Sequence, residues 1–325
     1  MNQIEKELPS PSQSKQGWPW AEFSQSLPEK MPDGSDWPKI SIITPSYNQG
    51  KFIEETIRSV LLQNYPNLEY IIVDGKSNDE TQKIIEKYRP WFSKVIIEPD
   101  NGAADAIRKG MEIATGEWFN WINSDDWLLP NSLSLLAYLA NLYPEYNWIS
   151  GGRININTSS QFVSSHVPWK QKPNCLLFGG DFFPQDATFF KLSFLQKNNL
   201  EINTKVKNVF DTLLYNEALL IEKPLLTSGF FSAMRWHESQ LTANTKQREI
   251  ESTYIKAIKR KNPNYILIKI AQRLVSTRFK YFIILFLMII AKLQLWPPAK
   301  AWKACVYNPW QRQFIECDAK DCWIT

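Results

Sequence analysis

The chain has 325 residues, enough for one large α/β domain with an appendage or for two modest domains. Of these residues 44% are hydrophobic and 14% are aromatic, a composition that excludes disorder of the whole chain. A formal net charge of +4 is too small to indicate a nucleic-acid-binding protein. Four cysteines without a CxxC pair, together with only two histidines, argue against structural zinc and are typical of a cytosolic protein with reduced thiols.

Residues 1–37 are rich in Pro, Ser and Gln, and no helical or alternating pattern is present there. The acidic residues Glu5 and Glu7, and the lack of a long apolar core, argue against a signal peptide. We therefore expect a flexible leader, although its aromatic residues Trp18, Trp20 and Phe23 could dock on the rest of the chain.

Four apolar runs follow, and each is typical of a buried strand that ends in a polar loop. They cover residues 39–44, 69–73, 94–98 and 118–122. Helical patterns lie between them, at 52–63, after residue 79 and up to 114. Repeated strand–loop–helix units predict an α/β fold, with a parallel sheet covered by helices on both faces.

The loops after these four strands carry polar residues, at 45–50, 74–79, 100–105 and 125–126. Ligands of parallel sheets bind beyond the carboxyl ends of the strands. The adjacent carboxylates of Asp125 and Asp126 follow a buried strand, where they repel each other unless a cation neutralises them. The pattern therefore predicts a divalent metal ion and a phosphate-bearing ligand at this edge.

Three blocks of this region resemble the signature blocks of family 2 glycosyltransferases. They are residues 42–48 (IITPSYN), 73–81 (VDGKSNDET) and 123–126 (NSDD), in the order and spacing of the family. Gly102 and Gly110 lie between the second and third blocks, and a weaker match continues to about Thr242. The resemblance implies the GT-A fold over residues 38–245, a Rossmann-like and mostly parallel central sheet flanked by helices.

The resemblance also implies a set of residues that bind the nucleotide-sugar: Pro45, Ser46, Tyr47, Asp74, Asp105 and Asp125. Tyr47 would stack on the base, Asp74 would accept the imino N–H of the base, and Asp125 would approach the ribose. Tyr47 could instead pack at a strand end, and Asp105 could serve only the helix dipole. Gly75 departs from the commoner Asp-Asp pair of the family, which leaves the identity of the nucleotide open.

For the metal, the resemblance implies that Asp126 binds Mn²⁺ or Mg²⁺, and that His237 of an Arg-x-His segment completes the metal or diphosphate site. Asp211 opens an apolar helical pattern and matches the position of the family's catalytic base. Asp186 is the rival for that role. Asp211 could also be an ordinary acid at a helix start, and His237 an ordinary structural histidine.

Residues 246–325 are basic and apolar, and we expect a helical extension there. The uncharged run 281–291 is shorter than the ~20 residues that a spanning helix needs. Cations and Trp flank it, so the segment 264–296 is predicted to make a peripheral contact with the inner face of the cell membrane, from the cytoplasm. The alternatives are a helix that covers an apolar face of the domain, and a dimer contact.

The sequence thus predicts an inverting, metal-dependent glycosyltransferase that moves a sugar from a nucleotide-diphosphosugar to a hydroxyl of a glycan or lipid-linked acceptor. A UDP-sugar is the foremost donor, with dTDP- and GDP-sugars open. A nucleotidyltransferase would need a Gly-rich loop with Lys or Arg after the first strand, and residues 46–50 are not such a loop. A non-catalytic nucleotide-sugar-binding or scaffold protein of the same fold is the alternative that Gly75 favours.

Overall fold

A computed structural model of the chain describes residues 8–11, 15–168, 183–237, 240, 245–261, 266, 269–270, 273, 303–308 and 313–318. Within these residues the strands are β1 Ile40–Ser46, β2 Leu68–Asp74, β3 Lys94–Ile97, β4 Trp118–Trp121, β5 Trp127–Leu128, β6 Trp148–Ile156, β7 Phe162–His166, β8 Thr188–Lys191, β9 Leu225–Arg235, β10 Lys303–Asn308 and β11 Gln313–Asp318. The α-helices are α1 Ile53–Leu61, α2 Thr81–Lys87, α3 Ala103–Ile113, α4 Ser132–Leu142, α5 Leu192–Lys197, α6 Phe210–Ile221 and α7 Thr245–Lys259.

The first four strands form the parallel part of one sheet. β1 lies between β2 and β4, and β3 lies beyond β2, with every one of these pairs parallel. Ser46 is in register with Asp74, and Asp74 is in register with Ile97, so β1, β2 and β3 end in one row. The α/β fold predicted from the strand–loop–helix repeat is confirmed, and the repeat places the four polar loops at one edge.

Beyond β4 the sheet is mixed rather than mostly parallel. Its order is β11-β10-β9-β6-β8-β4-β1-β2-β3, with β5 beside β9 and β7 beside β6. β8 is antiparallel to both β4 and β6, whereas β6 and β9 are parallel. The strand–loop–helix repeat of the sequence stops near residue 122, so it held no information about the direction of these later strands.

Both faces of the sheet are covered, because successive residues of a strand point to opposite sides. Ile42 packs in the apolar cluster that contains residues of α1 and α4. Its neighbour Ile43 packs in the other cluster, with residues of α3 and α6. The sheet therefore lies between two layers of helices.

The C-terminal extension is not helical throughout, which corrects the prediction. α7 is helical, but β10 pairs in parallel with β9, and β11 pairs antiparallel with β10. Strand pairing there satisfies backbone groups along the edge of β9, which a covering helix cannot do. The predicted membrane-contact segment 264–296 lies almost entirely outside the described residues. Among the described helices, none has both the length and the hydropathy that crossing a bilayer requires.

The predicted flexible leader is also corrected where the structure describes it. The guanidinium of Arg58, which is 2% exposed, donates hydrogen bonds to the backbone oxygens of Pro9, Pro19 and Trp20 at 2.8, 3.0 and 3.1 Å. The Trp18 indole donates to the backbone oxygen of Leu128 at 2.8 Å. Contacts of this kind need no periodic sequence pattern, so composition alone suggested disorder. We call residues 15–37 the N-terminal strap.

Candidate active site

The loops after β1 and β2 are bonded to each other at the carboxyl edge of the sheet. The backbone N–H of Asn48 donates to Ser77 Oγ at 2.8 Å, and that of Gly50 donates to Asp79 Oδ2 at 2.9 Å. Asp79 also accepts from the backbone N–H of Thr81, the first residue of α2, at 3.0 Å. Burial opposes ionisation of Asp79, but these hydrogen bonds prevail and lower its pKa. Asp79 therefore joins the two loops and the start of α2.

The residues predicted to bind the nucleotide differ in their exposure. The Tyr47 side chain is 60% exposed, as a free stacking surface requires. Asp74 is completely buried, and its two oxygens accept from the backbone N–H and the Oγ of Ser77 at 2.8 and 2.6 Å. Asp74 thus shapes its own loop. The Ser46 hydroxyl is buried without a hydrogen-bond partner among the described residues, a polar group that a ligand can satisfy.

Asp105 lies in the first turn of α3, the helix that packs against Ile43 of β1. Its carboxylate accepts from Arg108 Nη2 at 2.9 Å and from the backbone N–H of Asn101 at 3.2 Å. The hydrogen bond from Arg108 is the main reason why the pKa of Asp105 is lowered. Asp105 is therefore an ionised, oriented acid at a helix start, where Arg108 and the helix N-terminus supply positive charge.

Asp125, Asp126 and His237 are brought together, although more than a hundred residues separate the acids from the histidine. His237 Nε2 and Asp125 Oδ2 are 2.8 Å apart. Asp126 Oδ1 accepts from the backbone N–H of Arg235 at 2.8 Å, and Asp126 Oδ2 accepts from Asn123 Nδ2 at 3.2 Å. The end of β9 and the β4–β5 loop therefore form one unit.

Negative charge accumulates around Asp126. Burial raises its pKa well above the usual range, and the nearby carboxylates of Asp125 and Asp186 raise it further. The hydrogen bonds from Arg235 and Asn123 oppose this only in part. A buried carboxylate in such surroundings is stabilised by a cation that neutralises it.

The donor atoms fit a divalent cation. Carboxylate oxygens are preferred ligands of Mg²⁺ and Mn²⁺, and Asp125 Oδ2 and His237 Nε2 converge to 2.8 Å, the distance of a hydrogen bond that a bound cation would replace. The two hydrogen bonds to Asp126 use only part of the roughly four acceptor positions of a carboxylate. Among the described residues no three His, Cys, Asp or Glu side chains form a complete metal site. Water and diphosphate oxygens would supply the remaining ligands.

Arg235, the last residue of β9, supports this unit through its hydrogen bonds. It is 2% exposed, and its Nε donates to the backbone oxygen of Asp125 at 3.0 Å. Its Nη1 donates to the backbone oxygen of Asn157 and to Ser160 Oγ, and its Nη2 is paired with Glu55 of α1. The guanidinium also lies over the rings of Phe52 and Trp127, at 4.7 and 5.4 Å from their centroids.

Asp211 lies in the first turn of α6, where it is partly exposed. The ring of its neighbour Phe210 is 6.1 Å from that of Trp121, which ends β4, so this turn lies near the carboxyl end of β4. Asp186, the rival base, is 1% exposed and accepts from Arg153 Nη1 at 3.1 Å and from Ser232 Oγ at 2.6 Å. Between them lies Tyr215, whose pKa is raised by burial and then by Asp211 and Asp186.

Sequence reasoning missed the supporting residues rather than the acids. Arg235 belongs to the Arg-x-His segment that the sequence points to, but the pattern does not reveal its buried pairing. Glu55 gives no signal, because a carboxylate in the first turn of an amphipathic helix is ordinary. No described contact joins Asp211 directly to Asp125 or Asp126.

The sheet and its loops define the class: a GT-A fold of the kind found in nucleotide-sugar transferases. Solved structures with this fold include S. aureus TarS 1–349 in complex with UDP-GlcNAc, with 18% identity, a TM-score of 0.53, and coverage of 79% of this chain and 71% of that one. A second is the mannosyltransferase PcManGT from Pyrobaculum calidifontis in complex with GDP-Man and Mn²⁺, with 17% identity, a TM-score of 0.54, and coverage of 79% and 75%.

Residues 41–198, just under half of the chain, match the family model described as Glycosyl transferase family 2. The resemblance found in the three sequence blocks is confirmed. One relative is the putative teichuronic acid biosynthesis glycosyltransferase TuaG of Bacillus subtilis (strain 168), 42% identical over 96 residues, which are 28% of this chain and 38% of the relative. The match spans about a third of the length of the first curated relatives.

Proposed function

We propose that the protein is an inverting, metal-dependent glycosyltransferase that transfers a sugar from a nucleotide-diphosphosugar, foremost a UDP-sugar, to a hydroxyl group of a glycan or lipid-linked acceptor. The observation that carries the proposal is the meeting of Asp125, Asp126 and His237 at the carboxyl edge of a family 2 domain. A nucleotide-sugar needs both a recognition surface for its base and a charge-neutralising site for its diphosphate, and this edge offers both.

The donor would lie along the loop after β1. The exposed Tyr47 ring offers a stacking surface, and the orphaned Ser46 hydroxyl offers a polar contact. The N-terminal turn of α3, which carries Asp105 paired with Arg108 of the next turn, would face the sugar or the diphosphate. Pro45, which precedes these residues in β1, fixes the backbone where the strand meets the ligand.

Asp126 and His237, with Asp125 beside them, would hold Mn²⁺ or Mg²⁺. When bound, such a cation neutralises the charge that develops on the departing nucleoside diphosphate. The chain itself would orient these side chains through Arg235. The side chain of Arg235 donates to the backbone oxygen of Asp125, and its backbone N–H donates to the carboxylate of Asp126.

Asp211 would act as the general base that removes the proton of the acceptor hydroxyl. A base must have an accessible oxygen, and Asp211 is partly exposed, whereas Asp186 is buried with both oxygens in hydrogen bonds. Direct attack of the acceptor oxygen on the anomeric carbon, in a single displacement, inverts the configuration there.

The acceptor would be a glycan or lipid-linked glycan reached from the cytoplasm. The basic and apolar composition of residues 264–296 supports a peripheral contact with the inner face of the membrane. Sedimentation with vesicles that contain anionic lipid tests this contact. Sedimentation that does not change with salt or detergent contradicts it.

The function is tested by measuring release of the nucleoside diphosphate from a panel of nucleotide-sugars with Mn²⁺ and a panel of glycan acceptors. We expect turnover by the wild type, loss of donor binding in Asp126→Ala, and intact donor binding with about 10²–10⁴-fold lower turnover in Asp211→Asn. Asp186→Asn is the matched comparison for the base. Tight donor binding without turnover for any acceptor would favour a non-catalytic binding or scaffold protein.

A further inference from the structure

Gly75 has no side chain, and Asp100 occupies the space that a side chain at position 75 would take. A Cβ atom at position 75 would lie 2.6 Å from Asp100 Oδ2 and 3.1 Å from Asp100 Cγ. Contacts below 3.0 Å force a shift, so position 75 tolerates a side chain only if Asp100 moves. The carboxylate of Asp100, which comes from the loop after β3, therefore stands where a side chain of residue 75 would begin.

Asp100 is also better placed than Asp74 to meet a ligand. Asp74 is completely buried, and both of its oxygens are engaged by Ser77. Asp100 is half-buried, and its Oδ1 accepts from the backbone N–H of Gly102 at 2.8 Å. Within the described part of the chain, its Oδ2 has no hydrogen-bond donor. One acceptor oxygen is thus oriented and unused.

The surroundings of this oxygen favour a donor that a ligand supplies. Burial raises the pKa of Asp100, and the nearby charges of Asp105 and Asp74 raise it further. The hydrogen bond from Gly102 and the charge of Lys109 lower this pKa, but only in part. A partly buried carboxylate that lacks a second donor is incompletely satisfied, and a hydrogen bond to it is charge-assisted.

We propose that Asp100 is the residue that selects the nucleobase: its Oδ2 accepts the imino N–H of the base, in place of a carboxylate at position 75. This inference rests on the proposed function, because it assumes a nucleotide donor at this edge. Uracil and thymine carry such a hydrogen on N3, and guanine carries one on N1. Cytosine N3 and adenine N1 are acceptors, so a carboxylate facing them meets a lone pair and excludes them.

The test measures the affinity of UDP, GDP and CDP by titration calorimetry in the presence of Mn²⁺. The wild type is expected to bind UDP or GDP at least about tenfold more tightly than CDP. Asp100→Asn should lose at least about tenfold in affinity for the preferred nucleotide. It should also bind CDP more tightly than the wild type does, because its amide can donate to cytosine N3.

Glu98→Gln is the matched control, since Glu98 is an exposed acid of the same loop that is paired with Lys109. It should leave the ratio of UDP to CDP affinity unchanged. Gly75→Ala should weaken binding of the preferred nucleotide, because its methyl group displaces Asp100. The double variant Gly75→Asp with Asp100→Gly moves the acid to the other side of the same space, and it should recover affinity relative to Asp100→Gly alone.

The outcomes separate this inference from the proposed function. If the wild type binds UDP or GDP and Asp100→Asn keeps the same nucleotide preference, Asp100 does not read the base, whereas the glycosyltransferase proposal stands. If the wild type binds no nucleoside diphosphate at all, both proposals fail. Should Asp100→Asn fail to fold, Gly75→Ala in a folded protein decides, and unchanged selectivity in that variant overturns the inference.

Discussion

Arg235 illustrates how a buried cation positions acids that a ligand needs. Its side chain has a dry environment between two aromatic rings, and its hydrogen bonds reach Glu55, Asn157 and the backbone of Asp125. A guanidinium in such a place is costly to bury, so its value lies in geometry rather than in stability. It holds the loop of Asp125 and Asp126 at a fixed distance from α1.

Removing this guanidinium should affect both stability and turnover. Arg235→Met leaves the Glu55 carboxylate buried without its strongest partner, and we expect the free energy of unfolding to fall by about 3 kcal/mol. Chemical denaturation measures this loss. The double variant Arg235→Met with Glu55→Gln should recover part of it, while the turnover number stays low because the acid loop remains unsupported. Equal losses in the single and double variants would contradict the pairing.

Glu69 offers a test that depends on pH and lies away from the site. Its carboxylate accepts from Lys39 Nζ, from Ser41 Oγ and from the backbone N–H and hydroxyl of Thr115. Burial alone would raise its pKa, but these hydrogen bonds prevail and lower the pKa from 4.5 to about 2. The ionised carboxylate therefore ties β1, β2 and the approach to β4 together at the amino end of the sheet.

A depressed pKa in the folded state gives stability that is present above the unfolded value of 4.5 and is lost as the pH falls through about 2. We expect Glu69→Gln to lower the free energy of unfolding by about 2 kcal/mol at pH 7. Urea denaturation between pH 7 and pH 2 should show a smaller loss of stability with acid in the variant than in the wild type. Parallel curves for the two proteins would exclude this role.

At the scale of single residues, the sequence predicts the acids of the site better than their roles. Asp125 and Asp126 stand out because two charges follow a buried strand, and the structure places them with His237. Asp74 stands out equally, yet it is engaged within its own loop. Whether Asp74 faces a ligand or its own loop depends on the rotamer of its side chain and on the neighbouring Asp100. A local sequence pattern encodes neither.

Helix α3 shows how close packing of elements sets the position of a binding loop. A Cβ atom at Gly110 would lie 2.8 Å from two side-chain carbons of Ile43 on β1. The helix can approach the strand closely only because residue 110 has no side chain. Since Asp105 is five residues earlier on the same helix, any outward shift of α3 also displaces this acid from the carboxyl edge of the sheet.

Gly110→Ala should therefore lower stability by about 1–2 kcal/mol, because overpacking against β1 exceeds the gain in helix propensity. Thermal denaturation measures the change. In an Ile43→Val background, which removes one of the two crowded carbons, the penalty should be smaller. A penalty of the same size in both backgrounds would mean that the contact with Ile43 is not its cause.

The sequence predicts the elements up to β4 well, because β1, β2 and β4 are buried along their length and each of β1, β2 and β3 is followed by a helix. The later strands lack this regularity. β8 has four residues, and β5 has two, so neither is long enough to carry a period. β10 and β11 alternate only weakly, and the pairing of β10 with β9 joins positions that are about 78 residues apart in the chain.

At the scale of the whole molecule, the N-terminal strap completes the surface that α1 and β5 leave open. Arg58 depends on it for two backbone acceptors, those of Pro19 and Trp20, while Pro9, which precedes the strap, supplies a third. Lys15 of the strap lies 3.6 Å from Glu55, which in turn binds Arg235. The strap is therefore connected, through two ion pairs, to the residue that supports the acid loop.

A shortened chain that begins at Pro38 should be less stable, because the Arg58 guanidinium stays buried without its carbonyl acceptors. We expect the melting temperature to fall by roughly 5–10 °C. A chain that begins at Lys15 is the control, since it keeps Pro19 and Trp20 and should lose much less. Arg58→Met should restore part of the stability of the shorter chain. A shortened chain as stable as the full one would contradict the structural role of the strap.

The contacts of the strap also constrain the order in which the protein can form. Trp18 bonds to Leu128, and Gln25 bonds to Asn131, across 110 and 106 residues of chain. At the usual speed of synthesis, roughly 5–20 residues per second, the strap leaves the ribosome about 5–20 s before its partners exist. During that interval neither the Trp18 indole N–H nor the Gln25 backbone N–H has its acceptor. On the ribosome the contacts of the strap with Leu128 and Asn131 therefore form after the parallel half of the sheet has been made, whereas a chain diluted from denaturant has every partner present at once.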